Sequence, residues 1–158
     1  MNTISLSINK VRVYDEVAKT TSYVGAKMTE DEGAYSRIFT TDDDRMMLER
    51  FWVEACSAAT ETFKPFIVTV SDQPESHGVE LERDYDITLE LSSAFDVRLK
   101  DSIETSLFSF FVASIVSKWC KFTNKADAEG YGNDADNAIL DIESKIYYRK
   151  KPTRVAPE

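Results

Sequence analysis

The chain has 158 residues, 42% hydrophobic and 30% charged, and its 28 Asp and Glu against 19 Lys and Arg give a net charge of -9. That length and apolar content suit one domain spanning 1–158 with its own core, and exclude a disordered, collagenous or disulfide-scaffold protein. The acidity disfavours tight, sequence-independent nucleic-acid binding, which needs a positive surface to displace counterions.

Met1 to Ile8 lacks both the basic region and the continuous apolar run of a secretory signal. Ile4, Leu6 and Ile8 alternate with Ser5 and Ser7, which predicts a short strand or extended arm over residues 1–9. From Val13 the period lengthens. Val13, Val17, Thr21, Val24 and Met28 mark one face of a first helix. Glu30, Asp31, Glu32 and Gly33 interrupt it, so Thr29 to Phe39 reads as a connecting loop.

The second helix has the clearest start signal. Thr41 stands three residues before Asp44 in a capping-box arrangement, and Asp42 to Asp44 put negative charge at the positive end of the helix dipole. Capping explains these aspartates better than metal binding, because consecutive helical residues point around the axis instead of converging. Leu48, Phe51, Trp52, Ala55, Ala59 and Phe63 form the apolar stripe, and Pro65 ends it.

After Pro65 the period becomes two. Phe66 to Val70 reads as a strand, and Ser71 to Gly78 supplies a turn containing Pro74. Val79, Leu81, Tyr85, Ile87, Leu89 and Leu91 then alternate with Glu80, Glu82, Asp84, Asp86, Thr88 and Glu90. This predicts a long strand with one apolar and one acidic face, completing an antiparallel hairpin. A third helix follows from about Val97 to Phe122, its buried face marked by Leu99, Ile103, Leu107, Phe111, Ile115, Trp119 and Phe122 and broadened until it is apolar around much of its circumference. Its Leu107 to Val116 stretch is much shorter than the roughly 20 residues of a membrane span, and no membrane association is expected. Gly130 and Gly132 are read as a break before a fourth helix, about Asp134 to Arg149, and residues 150–158 as a polar tail. The fold class is therefore α+β, mostly α: a four-helix body with a long antiparallel β-hairpin inserted between helices 2 and 3.

Chemistry is sparse. There is no nucleophile elbow, P-loop, metalloprotease helix or dinucleotide glycine fingerprint. The sole histidine, His77, falls in the predicted turn, where nothing orients it as a general base. Cys56 and Cys120 lie in predicted helices and read as reduced core thiols, with a disulfide left open because spacing cannot report their separation. The run from Asp127 to Asp136 departs from a calcium loop, since Lys125 would occupy the first ligand position. No catalytic residue, metal site or cofactor is expected, and the chain is not read as an enzyme.

Two sets of residues remain as candidates. Glu80, Glu82, Asp84, Asp86 and Glu90 form an acidic hairpin face, suited to a basic partner, to lining a channel, or simply to solvation. Leu107, Phe110, Phe111, Ile115 and Trp119, with Ile139, Ile142 and Ile146, form apolar stripes that pack within the subunit core or against neighbouring copies.

The organisation over Val13 to Tyr148, and locally the stretch Thr40 to Phe66 with its aspartate cap and Leu48, Phe51 and Trp52 stripe, resembles head-to-tail connector (adaptor or neck) proteins of tailed bacteriophages. The resemblance implies a small, mostly helical virion subunit, made in the bacterial cytoplasm, that forms a homo-oligomeric ring and joins portal and tail proteins. It implies no specific nucleic-acid binding, with the acidic face a passive lining for a DNA channel. The alternative is a small host-side interaction or regulatory protein whose acidic hairpin binds a basic partner.

Overall fold

The computed structural model describes residues 1–28, 30, 32–71 and 83–152. Its elements run β1 (Asn2–Ile8), α1 (Lys10–Lys27), α2 (Ala34–Ile38), α3 (Arg45–Phe63), β2 (Ile67–Val70), β3 (Tyr85–Leu91), α4 (Lys100–Thr123) and α5 (Lys125–Tyr147). The class is α+β and mostly α, with four long helices, one short one and a small antiparallel sheet among the described residues.

The N-terminal segment is a strand. β1 pairs antiparallel with β3 from Asn2 opposite Leu91 to Ile8 opposite Tyr85, and β2 pairs with the other side of β3. The hairpin is thereby widened to three strands in the order β1-β3-β2. Alternation sets its two faces as expected: Ile4, Leu6, Ile8, Tyr85, Ile87, Leu89 and Leu91 are buried. The long strand predicted from Val79 is shorter, beginning at Tyr85; residues 79–82 lie outside the described residues, and Arg83 and Asp84 are not in the strand.

Three other expectations change. Part of the predicted loop Thr29 to Phe39 is the helix α2, whose Ala34 and Ile38, four residues apart, are fully buried. The Trp119 indole N–H donates to the Ile38 carbonyl at 2.6 Å, and the Arg37 guanidinium donates to the Thr123 carbonyl at 2.8 Å. Tertiary anchoring thus supplies what five residues of local propensity cannot. Gly130 and Gly132 do not break the chain but lie within α5, which begins at Lys125. Phe122, assigned to the buried face of α4, is 69% exposed and lies against Phe51, ring centroids 6.3 Å apart.

α4 is the central helix. Eleven of its 24 residues are buried, and they extend around the axis. α5 runs antiparallel beside it, as Lys145 bonding the Ser102 carbonyl and Ser117 bonding the Ala128 carbonyl at opposite ends require. A Cβ on Gly132 would come within 3.2 Å of the Ser117 hydroxyl, so the small residue serves the close approach of the two helices. The segment Val97–Thr123 has the length and composition of a membrane span. In this fold its apolar surface is the meeting place of α1, α3, α5 and β1.

A charged pair is sealed into the body. Lys10, the first residue of α1, and Glu49 of α3 form an ion pair in which each side chain is 3% exposed. The Tyr14 hydroxyl donates to the same Glu49 oxygen at 2.9 Å. The Lys10 ammonium also lies 5.6 Å from the Tyr14 ring centroid and 5.8 Å from that of Trp52, within cation–π range. Every buried side-chain N or O atom among the described residues has a hydrogen-bond partner.

Two predictions follow from this packing. Glu49→Gln, which leaves the Lys10 charge buried opposite a neutral group, costs about 3–5 kcal/mol in urea unfolding, whereas the double replacement Lys10→Met with Glu49→Leu recovers most of that loss. Among the glycines, Gly130→Ala raises stability by about 0.5–1 kcal/mol, since it sits in a helix interior with open space around its Cβ. Gly25→Ala lowers the melting temperature, because its Cβ would lie 2.9 Å from the Tyr35 backbone.

Candidate interaction surface

The acidic hairpin face separates into groups with different tasks. Asp84 is half-buried and accepts hydrogen bonds from the Lys10 backbone N–H at 2.9 Å and from the Asn9 side-chain amide at 3.5 Å. α1 has no acidic residue in its own first turn. Asp84 therefore supplies, from the entry to β3, the negative charge that a helix N-terminus favours. Asn9 complements it as the N-cap, its side chain accepting from the Arg12 N–H at 2.9 Å.

Asp86 is exposed on the outer face of the sheet, where its carboxylate accepts from the Ser7 hydroxyl of β1 at 2.6 Å. Its backbone also pairs with Ser71, which donates from its N–H to the Asp86 carbonyl at 2.8 Å. Glu90 is exposed further along the same face, opposite Thr3 in the ladder, and its carboxylate makes no hydrogen bond or ion pair among the described residues. Glu80 and Glu82, like His77 and the predicted turn, lie outside the described residues. Among the described residues the acidic face is thus partly a structural seam between β1, α1 and β3, at Asp84 and Asp86, and partly an exposed surface at Glu90.

The sheet has two outer edges. β2 is short and its last three residues are exposed, including Val68 and Val70. β1 is longer, and one of its outward N–H groups, that of Ser7, donates to the Glu104 carboxylate of α4 at 3.0 Å. A side chain that occupies an edge donor blunts strand addition at that point.

The apolar candidates of the last two helices are core. Leu107, Phe110, Phe111, Ile115, Trp119, Ile142 and Ile146 are buried, and Ile139 is partly buried against them. None of these seven buried residues offers a surface to another molecule. Exposed apolar side chains occur elsewhere, at Tyr23, Met46, Phe122, Leu140 and Tyr147 among others.

The thiols are inert by environment. Cys56 and Cys120 are free and buried. Burial pushes the Cys56 thiol far above its ordinary range and Cys120 up to about 11. Neither supplies a thiolate near neutrality. Burial likewise raises the Tyr85 hydroxyl to about 12, although it hydrogen-bonds Thr60 at 2.9 Å. At the entry to α4, the Arg98 guanidinium grips the Asp96 carboxylate at 2.7 and 2.9 Å and holds it down at about 2. No group of three or more metal-ligating side chains converges among the described residues.

No motif in the sequence marks the Lys10–Glu49 pair, but its position carries a signal. Lys10 stands three, four and seven residues before the buried Val13, Tyr14 and Val17; Glu49 stands three and seven before Trp52 and Cys56. Both charges sit on the buried period of their helices.

Comparison with family models, curated proteins and solved structures found no match.

The division of labour along the face is measurable. Asp84→Ala lowers unfolding free energy by about 1 kcal/mol, the usual loss for a helix-start partner. Glu90→Ala stays within about 0.5 kcal/mol of the parent chain, as exposed substitutions do. Paired chemical denaturation curves distinguish the two.

Proposed function

We propose that the chain is a structural subunit of a tailed phage, a ring-forming connector of the neck that joins portal and tail. The observation carrying this reading is architectural: a helical body packed around α4 presents a hairpin between α3 and α4 whose sheet has an edge strand on each side. Such a subunit has a packed core of its own and separate surfaces on different sides, as a head-to-tail ring contact requires. The resemblance of the Thr40 to Phe66 stretch to neck proteins gives the reading its biological setting.

In this arrangement the outer sheet face, with Asp86 and Glu90, turns toward the lumen. Carboxylates there repel passing DNA within a Debye length of about 8 Å at physiological salt, so the channel stays non-adhesive without any specific nucleic-acid contact. The reading as a host-side decoy for a basic partner draws on the same acids. It is weakened because Asp84 and Asp86 already serve α1 and β1.

Native mass spectrometry and electron microscopy of the purified chain test the proposal. The expected result is a closed cyclic homo-oligomer that binds a portal protein, a tail protein or both. A strict monomer at high concentration, binding neither, overturns it. Glu90→Lys leaves the ring intact, since assembly does not depend on the acidic face; loss of the ring in this variant counts against the lumenal assignment.

A further inference from the structure

The C-terminal part of the chain is electrically polarised. α5, Lys125–Tyr147, carries six acids and two bases, a net of -4. The eleven residues after it, 148–158, carry Arg149, Lys150, Lys151 and Arg154 against Glu158, a net of +3.

The acidic part of α5 borders a groove of about 270 Å³ shared with α1 and α4. Its floor is Phe108, Val112 and Ala113 of α4 with Tyr131 of α5, and its rim carries Glu16 of α1 and Asp134 of α5. Phe108, Val112 and Tyr131 are partly buried hydrophobics packed on the core. Neither lysine nor arginine lines this groove among the described residues. Burial, with smaller contributions from Cys120, Asp127 and Asp134, raises the Tyr131 hydroxyl, and the Arg12 guanidinium lies over the Phe108 ring, 5.6 Å from its centroid. An apolar floor with an acidic rim matches an extended cationic segment carrying small apolar groups.

We propose that the groove receives the basic C-terminal segment, from Lys150 onward, of a second copy of this chain. The inference rests on the ring reading above and names one of its contacts. Charge complementarity selects the segment: Lys151 and Arg154 face Glu16 and Asp134, while Val155 and the prolines supply the apolar part. Geometry selects the second copy. The Lys150 N–H donates to the Ala94 carbonyl at 2.8 Å, which fixes the tail's exit beside the loop before α4. From Tyr147 back to Tyr131, α5 spans about 24 Å at 1.5 Å per residue, whereas the four residues from Lys150 to Arg154 reach at most about 14 Å. Even at full extension, Arg154 of the same copy therefore falls short of the Tyr131 end of the groove. A neighbour lays the same residues across the groove without stretching. The contact is heterologous, groove to tail, and so propagates from copy to copy.

A charge swap read by sedimentation tests this. In an associating chain, Glu16→Lys with Asp134→Lys, and separately Lys151→Glu with Arg154→Glu, each weaken self-association at least tenfold. The milder pair Glu16→Gln with Asp134→Asn weakens it in the same direction, and combining the two reversals in one chain restores it. Association unchanged by either reversal, or not restored by the combination in a folded chain, overturns the inference. Should the native chain be monomeric, a fluorescently labelled peptide of residues 148–158 replaces the attached tail: saturable binding lost in the groove variants upholds the inference, and no binding overturns it. A closed ring indifferent to the swaps removes this contact and leaves the ring reading standing. Swap-sensitive association that never closes does the reverse.

Discussion

The burial of Lys10 against Glu49 is the constraint on which the arrangement of this protein turns. An ammonium and a carboxylate withdrawn from water are tolerated only when they meet each other and find further partners. Here the partners are Tyr14, which hydrogen-bonds the carboxylate, and the rings of Tyr14 and Trp52, which face the ammonium. All of these side chains must arrive together. Lys10 opens α1 immediately after β1, so seating it against α3 fixes where the first strand ends and how the first helix leaves it. Displacing the β1–α1 junction by even one residue would bring Lys10 out of reach and leave Glu49 unpaired.

The same junction couples the sheet to the helices. A lysine at the start of α1 opposes the helix dipole, and α1 brings no acid of its own to offset it. Asp84, just before β3, provides that charge by accepting from the Lys10 N–H. The backbone of one residue is thus held by the sheet while its side chain is held by α3. Strand β3 then aligns β1 over seven residue pairs; the buried face of β1 packs on α4, and Tyr85 of β3 meets Phe111 of α4 with ring centroids 5.4 Å apart. In α4 the requirement is opposite in kind: it has almost no preferred side, so it settles where neighbours cover it on several.

How much of this was legible in the sequence depends on whether the deciding interaction is local. The Thr41–Asp44 box is local, and the Thr41 N–H does bond Asp44 at 2.9 Å. The alternation from Tyr85 to Leu91 is local in the same sense, because the pleat itself sorts its residues into faces. Gly130 and Gly132 misled because their intrinsic helix penalty, about 1 kcal/mol each, is small beside the packing of a helix along α4. The α2 helix was invisible for a related reason: its anchors, Trp119 and Thr123, are more than 80 residues away. The core stripes of α4 and α5 were legible as apolar, but periodicity could not say whether they met the subunit's own interior or a neighbour's. Their burial answers that for Leu107, Phe111 and Ile142 alike.

Charge shows how far summed quantities can mislead in the candidate site. The region 66–95 carries seven acids and Arg83, for -6, which makes the hairpin look like one acidic surface. Its three described acids divide instead: Asp84 supports α1, Asp86 bonds β1 and Glu90 faces solvent. Residues 124–158 show the converse: their sum of -1 conceals a helix of -4 joined to a tail of +3. A near-neutral total with separated ends is a directional object, and direction is what a repeating head-to-tail contact needs. In the proposed ring, the contact surface is therefore better sought where charge changes sign along the chain than where it is largest.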